Sequence, residues 1–185
     1  MNKETLRKVY MDKRKNMPYS EVCEKSALIE QKILNTDEYF RCGQIFTYVN
    51  MGCEVQTTGI IQRALADGKT VAVPVAIPGG SEMHFIQIDS LDGLKRSAFG
   101  VLEPDVATGK IIKSNDNTMA LVPGLAFDLN KFRIGYGGGY YDCFLGNSIY
   151  GAAIGLAFDF QIAEKIETQP HDVCVDFVIT DKRDF

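Results

Sequence analysis

GYGGGYYD, residues 135–142, is the most unusual stretch of this chain: four of its first five residues are glycine, and two tyrosines and an aspartate follow. Glycine loses more conformational freedom on folding than any other residue, so such a run indicates backbone that another group must approach closely. Successive unobstructed N–H groups can surround phosphate oxygens, and a helix that begins at YYDCFL would point its N-terminus at them. The spacing is neither a Walker A loop nor a dinucleotide fingerprint. By glycine content alone, a phosphate-binding loop and a flexible turn are equally good interpretations.

The segments around this stretch predict an α/β fold. Helical patterns cover residues 3 to about 16, a segment that begins with Ser20 as N-cap, and residues 57–68. Strand patterns cover residues 44–49, 69–75, 83–88, 120–124, 150–158 and 175–180. Because strands alternate with helices in the first half, we predict a mainly parallel sheet, with an antiparallel excursion between residues 83 and 104. We see no linker or repeat and predict one domain, residues 1–185.

Composition narrows the classes of function. The chain has 185 residues, 45% of them hydrophobic and 24% charged, with a net charge of −4. The chain has no overall positive charge that would favour a nucleic-acid partner. No apolar run in it approaches the roughly 20 residues that a membrane-spanning helix needs. Five cysteines without a CxxC pair and only two histidines argue against a zinc site or a disulfide framework. The N-terminus carries charge without an apolar segment behind it, so we expect reduced thiols and a cytoplasmic protein.

A family resemblance decides between the two interpretations of the glycine run. PGLAFD (residues 123–128) followed by RIGYGGGYYD (residues 133–142) resembles the signature of the 5-formyltetrahydrofolate cyclo-ligase family, also called 5,10-methenyltetrahydrofolate synthetases. Weaker matches follow the family order along nearly the whole chain: KETLR, TYVNMGCEVQTTGII, VAVPV, EMHF, GVLEP and HDVCVDFVIT. The resemblance implies a three-layer α/β/α fold of the NagB/RpiA/CoA-transferase type. It also implies conversion of 5-formyltetrahydrofolate to 5,10-methenyltetrahydrofolate with ATP and Mg²⁺, releasing ADP and phosphate.

The resemblance also assigns site residues, although no side chain stands out as a catalytic nucleophile or base. The residues it implies for ATP are Lys3, Arg7, Arg133, Ile134, Gly135, Tyr136, Gly137, Gly138, Gly139, Tyr140 and Tyr141. Those it implies for the folate are Val49, Glu54, Tyr136, Gly137, Gly138, Gly139 and Tyr140. Asp142 and Asp172 match the metal carboxylates, with Asp176 as a competitor for the second. Magnesium prefers such hard oxygen ligands together with phosphates.

Several side chains carry two interpretations. Lys3 and Arg7 lie four apart on one helical face, where solvated basic residues are common, and Arg14 lies two turns further on. Of the two adjacent tyrosines we expect Tyr140 to face the ligand and Tyr141 to pack in the core. The planar guanidinium of Arg133 suits a phosphate. Four further residues are candidates for the pterin pocket, although core packing is the commoner fate of the first two: Met83, Phe85, Glu103 and Pro104.

The chain departs from the family pattern at a few positions. Gly138 stands where some members have lysine, as in GRGKGYYD, and Cys143 where many have arginine. Lys131 and Phe132 replace a usual glycine. Two alternatives therefore stay open: a folate- or nucleotide-binding protein without turnover, and a sugar-phosphate enzyme of the same fold with Glu103 as its base. We expect small-molecule substrates, no nucleic acid or membrane partner, and a monomer or weak dimer.

Overall fold

The computed structural model describes residues 2–77, 79–97 and 100–185, which contain five α-helices and twelve strands. The helices are α1 (Lys3–Lys15), α2 (Tyr19–Leu34), α3 (Asp37–Arg41), α4 (Thr58–Ala66) and α5 (Tyr140–Asn147), with a 3₁₀ turn at Asp159–Gln161. The strands are β1 (Gln44–Phe46), β2 (Thr70–Ala76), β3 (Met83–Ile88), β4 (Lys95–Arg96), β5 (Leu102–Glu103), β6 (Ile111–Ile112), β7 (Thr118–Pro123), β8 (Ala126–Asp128), β9 (Arg133–Ile134), β10 (Ala152–Leu156), β11 (Ile162–Ala163) and β12 (Phe177–Ile179).

A seven-stranded sheet forms the centre of the fold, in the order β12-β10-β7-β1-β2-β3-β6. The pairs from β12 to β2 are parallel, and β3 and β6 add antiparallel pairs at one edge. The central strands β7 and β10 are almost entirely buried, as expected for parallel strands covered on both faces. The predicted mainly parallel α/β sheet is therefore confirmed. The predicted antiparallel excursion is also found in β3 and in the β4-β5 hairpin, although residues 98 and 99 lie outside the described residues.

Helices cover both faces of this sheet, because successive strand residues point to opposite sides. On one face, Ile45 belongs to the cluster that contains α2 and α4 side chains such as Ile29 and Ile60. On the other face, Phe46 belongs to the cluster that contains Phe144 of α5. Each cluster removes many apolar side chains from water, which is the main favourable contribution to folding. The layers are thus helix, sheet and helix, whereas the NagB/RpiA relationship and the single domain stay predictions.

A smaller sheet, β11-β8-β9, holds the N-terminal helix beside the main sheet. Leu6 and Tyr10 of α1 pack with Ala126 and Ile134 of this sheet, and with the preceding Leu125, in a third buried cluster. Because β9 leads directly into the glycine run, this packing brings the N-terminal turns of α1 next to residues 135–139. None of these three short strands was predicted from the sequence, since each has only two or three residues.

Two local predictions differ from the structure. Helix α2 begins at Tyr19, and Pro18 occupies the N-cap position in place of the predicted Ser20. Proline has no backbone N–H and a fixed φ, so it fits just before the first helical turn. The first strand ends at Phe46, because the chain beyond it turns towards the cleft described below. In the described parts of the chain, the helices are all too short or too polar to cross a membrane.

Candidate active site

A cleft of about 620 Å³ opens at the carboxyl ends of the parallel strands. Val49 follows β1 into this cleft, and Ala76 and Pro123, the last residues of β2 and β7, line its floor. Open α/β sheets bind their ligands in this position. The glycine run and the start of α5 also line the cleft, and so do the first turns of α1.

The cleft gathers the predicted site residues from distant parts of the chain. Those that line it are Lys3, Arg7, Val49, Glu54, Arg133, Gly135, Tyr136, Gly137, Gly138, Gly139, Tyr140, Tyr141, Asp142 and Asp172. The exception is Ile134, which is only 1% exposed and packs in the cluster of Leu6 and Tyr10. The Ile134 side chain is therefore part of the core and not of the site, because Ile134 alternates with Arg133 along β9 and only Arg133 faces the cleft.

The glycine run has a defined shape. Gly137 and Gly139 have φ angles of +107° and +68°, a region that side-chain-bearing residues rarely adopt. Gly139 is the N-cap of α5, so the run ends where the first N–H groups of a helix have no partner within the helix. At Gly138 a Cβ atom would stand 2.6 Å from the ring of Tyr140, so this ring lies directly over bare backbone.

Arg133 and Asp142 form a buried ion pair at one end of the cleft. Arg133 Nη2 lies 3.1 Å from Asp142 Oδ1, and Arg133 Nη1 donates to the Val173 carbonyl at 2.9 Å. The Val173 N–H in turn donates to Asp142 Oδ1 at 3.0 Å. Burial lowers the pKa of Arg133, and the charge of Asp142 opposes that shift. Two of the five guanidinium donors are therefore used within the protein, and the others remain for a ligand.

Lys3 and Asp172 form a second pair nearby. The ammonium group of Lys3 contacts Asp172 Oδ2, which also accepts the Gln169 N–H at 2.5 Å. Burial raises the pKa of Asp172, but the hydrogen bonds from Lys3 and Gln169 outweigh it and hold the pKa below its ordinary value. On the next turn of α1, Arg7 Nε donates to the Gly135 carbonyl at 2.9 Å and ties the helix to the glycine run.

Glu54 is the centre of a further network in the cleft. This residue is 5% exposed, and its Oε1 accepts a hydrogen bond from the Tyr136 hydroxyl. The same hydroxyl accepts a hydrogen bond from Arg14 Nη2. Glu54 Oε2 accepts the Met51 N–H at 2.8 Å. Burial and the charge of Glu54 both raise the pKa of Tyr136. The sequence shows Arg14 only as a third basic residue on the same face of α1, and the folded chain buries it to 9% exposure beside this network.

The two adjacent tyrosines both line the cleft. Tyr140 is half-buried, with its ring over Gly138. The Tyr141 hydroxyl is buried and finds no hydrogen-bond partner within the described residues, and the Arg133 guanidinium lies 5.9 Å from its ring centroid. Burial raises the pKa of Tyr141. Tyr141 therefore belongs to the cleft as well as to the core, and the expectation that Tyr140 makes the ligand contacts stays a prediction.

Comparison with known proteins agrees with this arrangement. The sequence model described as the 5-formyltetrahydrofolate cyclo-ligase family matches residues 1–181. The chain belongs to the 5-formyltetrahydrofolate cyclo-ligase family. A probable 5-formyltetrahydrofolate cyclo-ligase of Schizosaccharomyces pombe is 33% identical over 123 residues, which cover 65% of this chain and 60% of that protein. The 5-formyltetrahydrofolate cyclo-ligase of Haemophilus influenzae is 29% identical over 78% of this chain and 79% of its own length.

Solved structures give the same result. The NMR structure of Aquifex aeolicus 5,10-methenyltetrahydrofolate synthetase superposes with a TM-score of 0.84 and 30% identity, covering 100% of this chain and 92% of that one. A 5,10-methenyltetrahydrofolate synthetase from Mycoplasma pneumoniae superposes with a TM-score of 0.78 and 23% identity, covering 98% and 100% of the two chains, and this match concerns the fold alone.

Other residues of this cyclo-ligase family member were placed only by the structure. Met83 and Glu103, both pterin-pocket candidates, line the cleft, and burial raises the pKa of Glu103. Phe85 does not line it: its ring stacks on Phe46 in the core, with centroids 4.3 Å apart. The cleft also contains Gln169 and His171, from a loop whose sequence alone indicated no role for either side chain.

The carboxylates of the cleft fit a magnesium ion held jointly with phosphates. No group of three or more His, Cys, Asp or Glu side chains is arranged to hold a metal in the described ranges. Asp142 uses only Oδ1 in the contacts above, so Oδ2 is available as a hard oxygen ligand. Asp172 would have to exchange its contact with Lys3. Asp176, the competing candidate, is not in the cleft lining, because its carboxylate accepts the Ala153 N–H at 2.8 Å.

Proposed function

We propose that this protein converts 5-formyltetrahydrofolate to 5,10-methenyltetrahydrofolate, with ATP and Mg²⁺ as co-substrate and cofactor and with release of ADP and phosphate. The observation that carries the proposal is the cleft itself, whose lining combines the glycine run and three cationic side chains with the buried carboxylate of Glu54 and several tyrosines. We assign the first set to a cationic end and the second to an acidic end. Membership of the cyclo-ligase family supports ATP as the co-substrate.

The reaction needs activation of a poor electrophile. The formyl carbon on N5 resembles an amide carbon, so transfer of the γ-phosphoryl group of ATP to the formyl oxygen converts that oxygen into a leaving group. N10 then attacks the carbon and closes the ring, and the phosphate departs with the proton that N10 loses. Phosphoryl transfer depends mainly on positioning and on neutralising charge, with little covalent participation by side chains. A cleft without a nucleophile–base pair suits this chemistry.

The cationic end provides the groups for the triphosphate. Lys3, Arg7 and Arg133 place three positive charges around the glycine run, whose backbone leaves room for phosphate oxygens. The N-terminus of α5 adds its partial positive charge at the same place. This chain has Gly138 where some family members have a lysine. Among its side chains, Lys3, Arg7 and Arg133 therefore neutralise the phosphates. A contact of ATP with the backbone of Ile134 stays part of the proposal.

Asp142 and Asp172 would hold the magnesium ion. When bound, magnesium supplies charge neutralisation to the β- and γ-phosphates. The protein's contribution is to hold these carboxylates in place through Arg133 and the N–H groups of Val173 and Gln169. Because Lys3 contacts Asp172 here, binding of Mg-ATP would give Lys3 a phosphate partner in exchange for the carboxylate.

The acidic end provides the groups for the folate. A buried carboxylate such as Glu54 accepts paired N–H donors of a pterin ring, and Val49 and Tyr140 supply apolar surface around it. The proposal therefore assigns the pterin to the Glu54 end and the phosphates to the Arg133 end. The formyl group of the bound folate would lie between them, within reach of the γ-phosphoryl group.

The first test is an absorbance assay for the methenyl product. Purified protein with 5-formyltetrahydrofolate should form it only when Mg-ATP is present, and omission of either Mg²⁺ or ATP should abolish the rise. Folate binding without any rise would favour a binding protein, and the absence of both would favour a different substrate such as a sugar phosphate. A cytoplasmic location and a monomeric or weakly dimeric state stay predictions, which fractionation and light scattering can check.

A further inference from the structure

Arg14 is a buried cation that no step of the proposed reaction uses. It lies in the last turn of α1, is 9% exposed, and does not line the cleft. Burying a charged side chain is costly unless it is paired and hydrogen-bonded. The partners of Arg14 therefore indicate why the fold keeps it there.

Both polar partners of Arg14 belong to the folate end of the cleft. Its Nη2 donates to the Tyr136 hydroxyl, and its Nη1 lies 3.8 Å from Glu54 Oε1. The guanidinium also lies 5.5 Å from the centroid of the Tyr136 ring, within the range of a cation–π interaction. The Tyr136 hydroxyl completes the network by donating to Glu54 Oε1. Three separate elements thus meet in one network: α1, the glycine run and the loop after β1.

The network determines what Glu54 can offer to a ligand. A carboxylate has about four acceptor positions. Tyr136 occupies one on Oε1 and the Met51 N–H occupies one on Oε2, which leaves one position on each oxygen. Two adjacent free acceptors match two adjacent N–H donors of a pterin ring. The guanidinium of Arg14, with Nη1 3.8 Å from Oε1, holds the carboxylate from the side of α1.

Tyr136 is the residue whose hydroxyl links Arg14 to Glu54. In the pattern GRGKGYYD the same place holds arginine, so the hydroxyl that links Arg14 to Glu54 is absent there. Gly137, the next residue, has a φ of +107°, a backbone conformation that favours glycine, and the loop in this conformation carries the Tyr136 hydroxyl to Glu54.

We propose that Arg14 is a positioning residue for the folate site: acting through the Tyr136 hydroxyl, it fixes the orientation of Glu54, and so sets the affinity for the folate more strongly than that for ATP. The inference rests on the proposed function, because it takes the folate as the ligand of Glu54. Neither Arg14 nor the Tyr136 hydroxyl touches the reacting atoms, so both act on binding before the chemical step.

The sharpest variant is Tyr136→Phe, which removes one oxygen and keeps the ring. We expect the KM for 5-formyltetrahydrofolate to rise about tenfold, the loss typical of a charge-assisted hydrogen bond, and this rise to exceed any change in the KM for ATP. The matched control is Tyr39→Phe, which removes a hydroxyl that donates to Asp67 at 2.7 Å, away from the cleft. It should change neither KM.

Arg14→Met and Arg14→Lys test the cation itself. Arg14→Met should raise the folate KM by at least as much as Tyr136→Phe, and Arg14→Lys should recover part of the loss because it keeps the charge. If Arg14 acts through Tyr136, the double variant Arg14→Met/Tyr136→Phe should lose little more than Arg14→Met alone. Thermal denaturation of each variant identifies any that fail to fold, and Tyr136→Phe still tests the proposal in that case.

Two results would overturn the inference. An unchanged folate KM in Tyr136→Phe, or equal rises in the KM values for folate and ATP, would reduce the network to a structural contact. Failure of the proposed function would look different, because the wild-type protein itself would then form no methenyl product. Calorimetric titration of 5-formyltetrahydrofolate into the wild type and Tyr136→Phe would then still decide whether the network sets folate affinity.

Discussion

Asp142→Asn separates the structural role of Asp142 from its proposed role at the metal. The substitution keeps the side-chain shape, and the amide oxygen of the new side chain can still accept the Val173 N–H that Asp142 Oδ1 accepts at 3.0 Å. It removes the negative charge that lies 3.1 Å from Arg133, whose side chain is only 3% exposed. The perturbation is therefore the loss of one charge beside a buried guanidinium.

The magnitude follows from the burial of the two partners. Removing one member of a fully buried pair costs roughly 3–5 kcal/mol, because the remaining charge is left uncompensated. Asp142 keeps 23% of its side chain exposed and Arg133 keeps its bond to the Val173 carbonyl, so we expect about 2 kcal/mol of lost stability. For a chain of this length that corresponds to a fall in Tm of about 4–8 °C.

Thermal and urea denaturation measure this loss directly. The matched control is Asp37→Asn, which breaks an Asp–Arg pair whose side chains are mostly exposed, and which should change the stability by less than about 0.5 kcal/mol. The double variant Asp142→Asn/Arg133→Met should recover part of the stability, because no buried charge then remains unpaired. Turnover should also be measured over a range of Mg²⁺ concentrations. The turnover of Asp142→Asn should be lower than that of the wild type by a factor on the order of a hundred, as for removal of a group that stabilises developing charge. Folate affinity should stay unchanged.

A Tm close to that of the wild type would refute the electrostatic argument, since Arg133 would then not depend on this charge. Normal turnover with an unchanged magnesium requirement would remove Asp142 from the proposed metal site. A lower Tm together with normal turnover would leave Asp142 with a structural role alone.

Three further predictions concern other parts of the cleft. The pKa of Asp172 lies below its ordinary value of 3.8 in the folded chain, so its ionisation stabilises the fold above pH 3.8, and this stabilisation is lost as the pH falls through the lower folded pKa. Asp172→Asn should therefore lower the Tm at pH 7 and have little effect on it at about pH 2. An equal fall in Tm at both pH values would contradict this prediction. Gly138→Ala should displace the Tyr140 ring, which a Cβ would approach to 2.6 Å, and raise the folate KM in steady-state kinetics; unchanged KM values would show that the ring position does not matter. Glu54→Gln should weaken folate binding about tenfold in calorimetric titrations without changing ATP binding, and unchanged folate affinity would return Glu54 to a structural role.

The sequence by itself determined the family, the mainly parallel sheet and most of the residues that line the cleft. Long strand patterns and the glycine run are local features, because side-chain period and backbone freedom depend on neighbouring residues. The same local reasoning failed where elements were short, as in β8, β9 and β11, and where a side chain had two equally good surroundings. The alternation of β9 buries the side chain of Ile134 in the core, and the proposed contact of its backbone with ATP stays a prediction.

Only the tertiary structure decided which charges pair. Lys3 meets Asp172 across 169 residues, and Arg14 meets Tyr136 across 122. From the sequence, Arg14 was one more basic residue on a terminal helix, where such residues are usually solvated. Leu6 and Tyr10 pack against the small sheet and so fix the position of α1. In this position the Arg14 side chain is buried next to Tyr136, and a charge that would be solvated on an isolated helix becomes paired. The free energy of a charge depends on its burial and on the distance to its partner, and both are fixed by contacts between residues far apart in the chain.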